Sequence, residues 1–232
     1  MSIATGKVKE RLGSVRARIE AAALRSGRQA SDITLVAVTK GAVAALISEA
    51  CESALVTFGE NKVQEAGEKI AQLNRPELQW HFIGHLQSNK VKSAVSLFHL
   101  IQSVDTVRLA EKINEEALAA GKIMPVLLEV NISGEEQKYG FSAEEIYTKL
   151  EPIAELPNLK VMGLMGMASE GDAEQARSQF KKLKGLFSVC RGMKKNAGTL
   201  EMKYLSMGMS DDFEIAIEEG SNMVRLGRAI FK

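Results

Sequence analysis

Eight short apolar runs, each separated from the next by a segment of helical periodicity, restrict the fold of this sequence more than any other feature. Valine, leucine, isoleucine and methionine dominate these runs, so each has the composition of a buried β-strand. A strand that leads into a helix rather than into another strand pairs in parallel with its neighbours, because a parallel connection must cross back over the sheet. The predicted strands are residues 33–38, 54–58, 78–83, 99–104, 126–131, 159–165, 202–206 and 223–226.

Helical periodicity fills the intervals between these strands. Ser142 and Glu145 have the spacing of a capping box, which predicts that one helix begins there. An additional amphipathic helix at residues 8–24 precedes the first strand. The other predicted helices are residues 43–51, 61–73, 88–95, 106–120, 143–154, 173–196 and 211–219.

Eight parallel strands predict a closed (β/α)₈ TIM barrel, which residues 1–232 would form as a single domain with an extra N-terminal helix. A doubly wound open sheet, built from roughly six or seven of the strands, is the alternative. The first strand is not followed by the G-x-G-x-x-G pattern of dinucleotide-binding folds, so the sequence favours the barrel. Active sites of such barrels lie at the carboxyl ends of the strands.

Composition excludes several classes of function. The chain has a net charge of +1, with acidic and basic residues interspersed, so it lacks the electrostatic footprint of a nucleic-acid-binding protein. No apolar run approaches the ~20 residues that span a bilayer, and we expect no secretory signal, because the charged N-terminal segment has no apolar core region. No metal-binding spacing surrounds Cys51 and Cys190, or the pair His81 and His85. We therefore expect a cytoplasmic protein without a metal, a nucleic-acid partner or a membrane partner.

Lys40, at the end of the first strand run "ITLVAVTKG", is the first candidate reactive group. Alternation along a strand puts Val38 and Val36 on the same face as Lys40, so a barrel would place the amine above a stack of valines. Burial there would lower the pKa of the amine and leave it neutral, able to attack a carbonyl. The alternative is a lysine whose flexible stem carries its charge out to solvent.

Two segments near the end of the sequence form the second candidate site. "LSMGMSDDFEIAIEEG" places Ser206 and Ser210 before a helix, and "VRLGRAIF" places two arginines around Gly227 at the end of the eighth strand. Barrels frequently bind phosphate with the loops after strands seven and eight, through backbone N–H groups and a helix dipole. Arg225 or Arg228 could add a charge-assisted hydrogen bond.

The alternative for the first of these segments is a simple helix cap formed by Ser210, Asp211 and Asp212. The two aspartates would repel a phosphate at that spot. If an anion does bind, we expect Ser206, Ser210 and the turn after the eighth strand to hold it, with the aspartates turned away.

The two candidate sites meet if the sheet closes. Strand eight then lies roughly 5 Å from strand one, so a ligand with a phosphate at one end and an aldehyde at the other can reach Lys40. Pyridoxal 5′-phosphate (PLP) has this shape and forms a Schiff base with lysine. A phosphosugar-binding barrel enzyme stays open as an alternative, because phosphate loops alone do not name the ligand.

Several motifs carry a resemblance to the pyridoxal-phosphate homeostasis protein family over essentially the whole chain. They are "LVAVTK", "FGENKVQEAGEK", "WHFIGHLQSNK", "VLLEVNISGEEQKYGF", "GLMGMA" and "LSMGMSDDFEIAIEEGSNMVRLGRAIF", in the order the family has them. The resemblance implies a fold-type-III barrel like the N-terminal domain of alanine racemase, with PLP bound to Lys40 as a Schiff base. Two departures are Gly41, where the family commonly has a proline shortly after the lysine, and Asn222, where a threonine is usual.

The resemblance also implies which residues surround the cofactor. Asn61, His81, Ile83 and Leu86 would lie beside PLP. Arg225 would meet either the ring nitrogen or the phosphate, and both remain open. The positions that match the family's phosphate and ring-edge residues are Ser206, Met209, Ser210, Arg225 and Gly227.

The expected role is cofactor binding with little or no catalysis. A PLP racemase needs an acid or base on each face of the substrate carbon, and Lys40 supplies one. We expect no second domain to supply the other, and Tyr147 and Tyr204 have the sequence context of packing residues, while Tyr139 lies in a loop that could approach the site. We expect a monomer that buffers or carries PLP in the cell, with apo PLP enzymes as candidate partners; whether it delivers PLP to them directly or only buffers it stays open. The alternative is a racemase or lyase of modest activity.

Overall fold

The eight strands form a closed parallel barrel in the computed structural model of the chain, which describes residues 6–135, 137–169, 171–193 and 199–232. Each strand pairs with the next along the sequence, and β1 pairs with β8 to close the ring. The predicted barrel is therefore confirmed and the open sheet is wrong. The strands are β1 Thr34–Val38, β2 Thr57–Glu60, β3 Gln79–Phe82, β4 Leu100–Val104, β5 Met124–Val130, β6 Leu159–Gly166, β7 Leu200–Ser206 and β8 Met223–Leu226.

Helices surround the barrel, and none of those described is long and apolar enough to cross a membrane. The predicted capping box is confirmed, since Ser142 Oγ accepts from the Glu145 amide and the Glu145 carboxylate accepts from the Ser142 amide. The described helices are α1 Lys7–Arg25, α2 Ala44–Glu52, α3 Val63–Leu73, α4 Val91–Leu97, α5 Val107–Ala119, α6 Ala143–Ala154, α7 Ala173–Gly192, α8 Phe213–Glu218 and α9 Arg228–Phe231.

Most boundaries differ from prediction by one to three residues, and the following differences are the most informative. β2 begins at Thr57 rather than at residue 54, because Ala54 has a φ of 57° and forms part of the turn that follows α2. α8 begins two residues late because Asp212 accepts a hydrogen bond from the Met209 amide and closes a turn before the helix. The short α9 follows β8, where none was predicted. α7 is described only to Gly192, and residues 194–196 of its predicted range lie outside the described residues.

Two apolar layers hold the barrel together. The larger lies between the strands and the helices, and it includes Phe58, Phe82, Phe180 and Phe213, each at most 1% exposed. The smaller fills the lower interior of the barrel with side chains from alternate strand positions, as in other barrels of this class. Its members are Val36, Leu100, Leu127, Met162, Met165 and Met223, with Met167 and Tyr204 against them.

A bulge at Gly163 explains why Met162 and Met165, three residues apart, both face the interior. Strict alternation would turn one of them outward, but the pairing register of β6 shifts next to Gly163 on both sides. Gly163 has a φ of 147°, and a β-carbon there would lie 1.8 Å from the Tyr204 carbonyl oxygen. The bulge therefore depends on glycine, since both the backbone conformation and the approach of β7 exclude a side chain.

Gly163→Ala should destabilise the barrel by about 3 kcal/mol or more, because the methyl group meets backbone that cannot move away. The measurement is the free energy of unfolding in urea. Gly185→Ala in α7 is the matched control: its β-carbon meets nothing within 4 Å, and alanine should stabilise the exposed helix by about 0.5–1 kcal/mol. Equal effects of the two substitutions would contradict the strain at Gly163.

Candidate functional site

Closure of the ring brings the ends of β1 and β8 together, as predicted. Ala37 pairs with Leu226, and a β-carbon added at Gly227 would lie 3.1 Å from the Val38 carbonyl oxygen. The turn that carries Lys40 therefore stands next to the end of β8. This adjacency was the geometric condition for one ligand to reach both candidate sites.

The expected burial of Lys40 is wrong, because the residue is exposed. Val36 does face the barrel interior, but the chain turns before Lys40 can continue that stack. The Thr39 carbonyl accepts from the Ala42 amide at 2.9 Å, and Gly41 has a φ of 72°. Lys40 thus lies at the second position of a β-turn whose third position requires glycine. A turn corner projects its side chain outward, which the alternation rule for strands does not foresee.

A buried ion pair that the sequence analysis did not identify supports this turn from below. Glu60 is fully buried, and its carboxylate accepts from Thr39 Oγ1 at 2.7 Å and from the Lys69 ammonium. Lys69 Nζ also donates to the Thr39 carbonyl at 2.7 Å. Glu60 and Lys69 both belong to the quoted motif "FGENKVQEAGEK". A carboxylate directly after a predicted buried strand was the signal that could have revealed them, because a charge that the fold buries needs a partner.

Asn61, next to Glu60, carries a buried polar atom without a partner. Its Oδ1 has no hydrogen bond within the described part of the chain. Such an atom costs free energy unless a ligand or water donates to it. Asn61 and Leu86 also line a cavity of about 310 Å³ beside the barrel mouth. Asn61 thus has the property expected of a ligand-facing residue.

A tier of polar side chains lies directly above the methionine-rich interior. His81, Gln102, Ser206 and Arg225 come from four different strands, and each is at most 8% exposed. Arg225 Nη1 donates to Ser206 Oγ at 2.6 Å, and Ser206 Oγ donates to Gln102 Oε1 at 2.6 Å. Gln102 Nε2 lies 3.1 Å from His81 Nδ1. Three predicted site residues therefore belong to one network, joined by Gln102, which the sequence analysis missed.

Burial shifts the titration of both ends of this network. It lowers the pKa of His81 to about 3, with a smaller contribution from His99, so the imidazole is neutral. It also lowers the pKa of Arg225 to about 10, against the opposing effect of Glu129 and Asp212. The guanidinium nevertheless stays charged at neutral pH. A buried cation with Nη2 fixed to the Gly166 carbonyl at 3.0 Å is a suitable neighbour for an anionic ligand.

Arg228 is exposed, whereas Arg225 is buried inside the barrel. Arg228 pairs with Asp211, which is also exposed. Asp212, by contrast, is not turned away, because its carboxylate accepts from the Met209 amide at 2.6 Å. That amide is therefore already occupied. Of the two arginines left open by the sequence, Arg225 is the one inside the barrel.

The remaining predicted residues lie around this tier rather than in it. A β-carbon added at Gly59 would lie 3.2 Å from Ile83 Cδ1 and 3.0 Å from Val36 Cγ1, so both side chains pack over this glycine. Met209 is half-exposed and lines two cavities. Ser210 Oγ accepts from the Ala229 amide at 3.3 Å, so it links the loop after β7 to α9. The predicted set thus falls into a buried group and a rim.

Tyr139, in the loop after β5, contacts a side chain of the loop after β3. Its ring stacks on His85, with ring centroids 3.7 Å apart and planes inclined by 14°. His85 Nδ1 in turn lies 3.0 Å from the Asp105 carboxylate. Tyr139 and Glu129 line the same cavity of about 590 Å³. The loop after β5 is therefore part of the candidate site.

Glu129 is a further buried acid that the sequence analysis did not identify. It follows Leu127 on the inner face of β5 and is 4% exposed. Burial and the nearby Asp105 carboxylate raise its pKa to about 7, although Arg225 opposes the shift. Glu129 thus changes its charge near neutral pH at the floor of the mouth.

Glu129→Gln should change the pH dependence of stability. Below pH 4.5 both the folded and the unfolded protein hold the proton on Glu129; between about 4.5 and 7 only the folded protein does, so the unfolding free energy falls as pH rises. The loss should amount to about 2–3 kcal/mol and be absent in the variant. Urea unfolding at pH 5 and pH 8 measures it, with the exposed Glu151→Gln as control. Parallel pH profiles for wild type and Glu129→Gln would contradict the raised pKa.

Comparison with known proteins agrees with this architecture. A family model described as "Alanine racemase, N-terminal domain" matches residues 11–232. A pyridoxal phosphate homeostasis protein of Aquifex aeolicus (strain VF5) is 40% identical over 223 residues, which cover 96% of either chain. One of Escherichia coli (strain K12) is 39% identical over 227 residues, covering 97% of this chain and 95% of the relative.

Among solved structures, PipY of Synechococcus elongatus PCC7942 with PLP bound superimposes with a TM-score of 0.83 and 32% identity. The match covers 97% of this chain and 100% of PipY. Identity at this level over the full length, together with the shared barrel, confirms the resemblance that the motifs carried. The chain belongs to the pyridoxal phosphate homeostasis protein family and has the fold of the alanine racemase N-terminal domain.

Proposed function

We propose that the chain binds PLP at the mouth of the barrel through a Schiff base to Lys40. The observation that carries the proposal is the position of Lys40, on a turn beside the end of β8, above a tier that holds the buried guanidinium of Arg225. Asn61 Oδ1, which lacks a donor within the described chain, fits a polar ligand at the same mouth. PipY, which this chain matches over its full length, has PLP bound, and this supports PLP as the ligand of this chain.

When bound, PLP supplies an aldehyde and an electron-withdrawing ring. Attachment forms a C=N bond to Lys40 Nζ, and the aldehyde oxygen leaves as water with the two amine protons. In this proposal the turn after β8 holds the phosphate, and Arg225 contacts the ligand beside it. The choice between the phosphate and the ring nitrogen as the partner of Arg225 stays a prediction.

We further propose that the protein stores and hands on PLP rather than catalysing a reaction with it. An exposed Lys40 leaves the linkage open to water and to other amines, which favours exchange over a protected reaction. The relatives are named homeostasis proteins, which agrees with this role. In this proposal residues 1–232 act as one PLP-binding unit, as a monomer in the cytoplasm, and apo PLP enzymes receive the cofactor.

A weak racemase or lyase is the second candidate, and one observation favours it. Tyr139 lies at the mouth, in contact with His85, where a second acid or base would be needed. A phosphosugar-binding barrel is the third, and a protein that stays colourless when PLP is added would favour it.

Reduction of the PLP-loaded protein with borohydride should place the label on the peptide that contains Lys40. Lys40→Ala should lose at least about tenfold in labelling at one equivalent of PLP. Its unfolding free energy should stay within about 0.5 kcal/mol of wild type, because the residue is an exposed turn corner. Peptide mapping by mass spectrometry and urea unfolding are the measurements. Lys62→Ala, which removes another exposed lysine near the mouth, is the control; a wild-type label on a different lysine would refute the assignment.

The carrier role predicts no sustained turnover of amino acids. The PLP-loaded protein, incubated with single L-amino acids in deuterated water, should show neither continuing α-proton exchange nor accumulation of the D-enantiomer. NMR and chiral chromatography measure both. Turnover at ordinary enzyme rates, about 1 s⁻¹ or more, would reverse the choice in favour of the racemase, and Tyr139→Phe should then abolish it.

A further inference from the structure

The polar tier of the barrel is a chain of hydrogen bonds that crosses from β8 to β3. Its bonds run from Arg225 to Ser206, from Ser206 to Gln102, and from Gln102 to His81, at 2.6, 2.6 and 3.1 Å. Gln102 and Ser206 are completely buried. With no bulk water at these positions, each polar atom must find its partner in the protein: Arg225 Nη2 also donates to the Gly166 carbonyl and Gln102 Nε2 to Met223 Sδ at 3.3 Å.

The chain has a fixed direction because one end can only donate. A guanidinium has no acceptor, so Ser206 Oγ must accept from Arg225 and has one hydrogen left to donate. Gln102 must therefore present its carbonyl oxygen to Ser206 and its NH₂ group to His81. The reverse orientation of the amide would confront Ser206 with two donors and leave its own hydrogen without this acceptor.

The last hydrogen bond of the chain reaches the imidazole of His81. An NH₂ group facing Nδ1 requires that Nδ1 accept, so the ring proton lies on Nε2. Arg225 fixes the direction in which Ser206 donates, and Ser206 in turn fixes the orientation of the Gln102 amide. We propose that Gln102 is therefore a positioning residue, which holds His81 as the neutral tautomer protonated at Nε2. We call this fixed tautomer the lock. A ligand atom that approaches Nε2 must then be a hydrogen-bond acceptor, so the lock favours ligands that place an acceptor at this position.

Within the described part of the chain, the titratable neighbour that acts on His81 does not favour its protonated form. His99 is the titratable neighbour that acts on its pKa, and it lowers the pKa in the same direction as burial. The imidazole is thus neutral over the working pH range, and only the choice of tautomer is left for Gln102 to decide. The tautomer itself is a property of the protein without cofactor; its effect on PLP affinity rests on the proposed function.

The direct test is the ¹⁵N NMR spectrum of His81 in the protein without PLP, because the shifts of the two ring nitrogens distinguish a protonated from an unprotonated one. We expect an unprotonated Nδ1 and a protonated Nε2 in wild type. A proton on Nδ1 would overturn the proposal, whatever the variants show.

Variants test the transmission. Gln102→Met and Ser206→Ala each cut the chain, and either should give a mixture of the two tautomers. Gln102→Glu places an acceptor opposite Nδ1, so the pKa of His81 should rise from about 3 toward its ordinary value of about 6.5. Gln179→Met is the matched control, since it removes another buried amide, which bonds Ser169 instead. An unchanged single tautomer in both Gln102→Met and Ser206→Ala would overturn the proposal.

Affinity for PLP gives the functional readout. Gln102→Met should weaken PLP binding by about tenfold, and Gln179→Met by less than about twofold. Suppose that wild type binds PLP and that Gln102→Met shows mixed tautomers but unchanged PLP affinity. This result would refute the link between the His81 tautomer and the ligand, and it would leave the proposed function intact. Wild type that does not bind PLP would refute the proposed function and leave the tautomer result to stand alone.

Discussion

Pairing between β1 and β8 is the constraint on which the rest of the molecule depends. It turns an open parallel sheet, which would have two free edges, into a ring without any. It also places the first and last strands of the chain side by side, so residues almost two hundred positions apart share one mouth. Neither the turn of Lys40 nor the guanidinium of Arg225 would belong to a site without this closure.

The interior of the ring is divided by depth into two chemically different tiers. The lower one is apolar and rich in methionine, which adapts its shape to the irregular space left by the bulge in β6. The upper one is polar, and its members satisfy one another across the barrel axis. The apolar packing of the interior is supplied by the lower tier. The upper tier can therefore place a charged guanidinium and oriented hydrogen bonds at the mouth, where a ligand would bind. Lys40 stands outside both tiers, on an exposed turn at the rim.

The fold could be predicted from the sequence largely because its signals are local and repeated. Each strand run lies next to a helical period, and the alternation of the two already requires a parallel sheet. The bulge at Gly163 could not be predicted, because a single extra residue in a strand leaves the hydrophobic pattern nearly unchanged and is revealed only by the register of the neighbours.

The site, too, could be predicted only in part from the sequence. Motifs marked Lys40, Asn61 and Arg225 in sequence, but the exposure of Lys40 follows from a turn closed between Thr39 and Ala42, which strand alternation does not describe. Gln102 and Glu129 looked like ordinary polar positions within strand runs. Their importance arises from groups on distant strands, so only the assembled barrel shows it.

Ion pairs between α1 and α8 have a consequence for how the molecule is made. Arg18 holds Glu214 at 2.8 Å and Arg25 holds Glu218 at 2.7 Å, so the first helix of the chain is fastened to one of the last. During synthesis α1 emerges from the ribosome before the first strand of the barrel, and α8 emerges only after the seventh. The nascent barrel stays open, with two bare strand edges, until β8 emerges, and this interval is when the chain most needs protection from other chains.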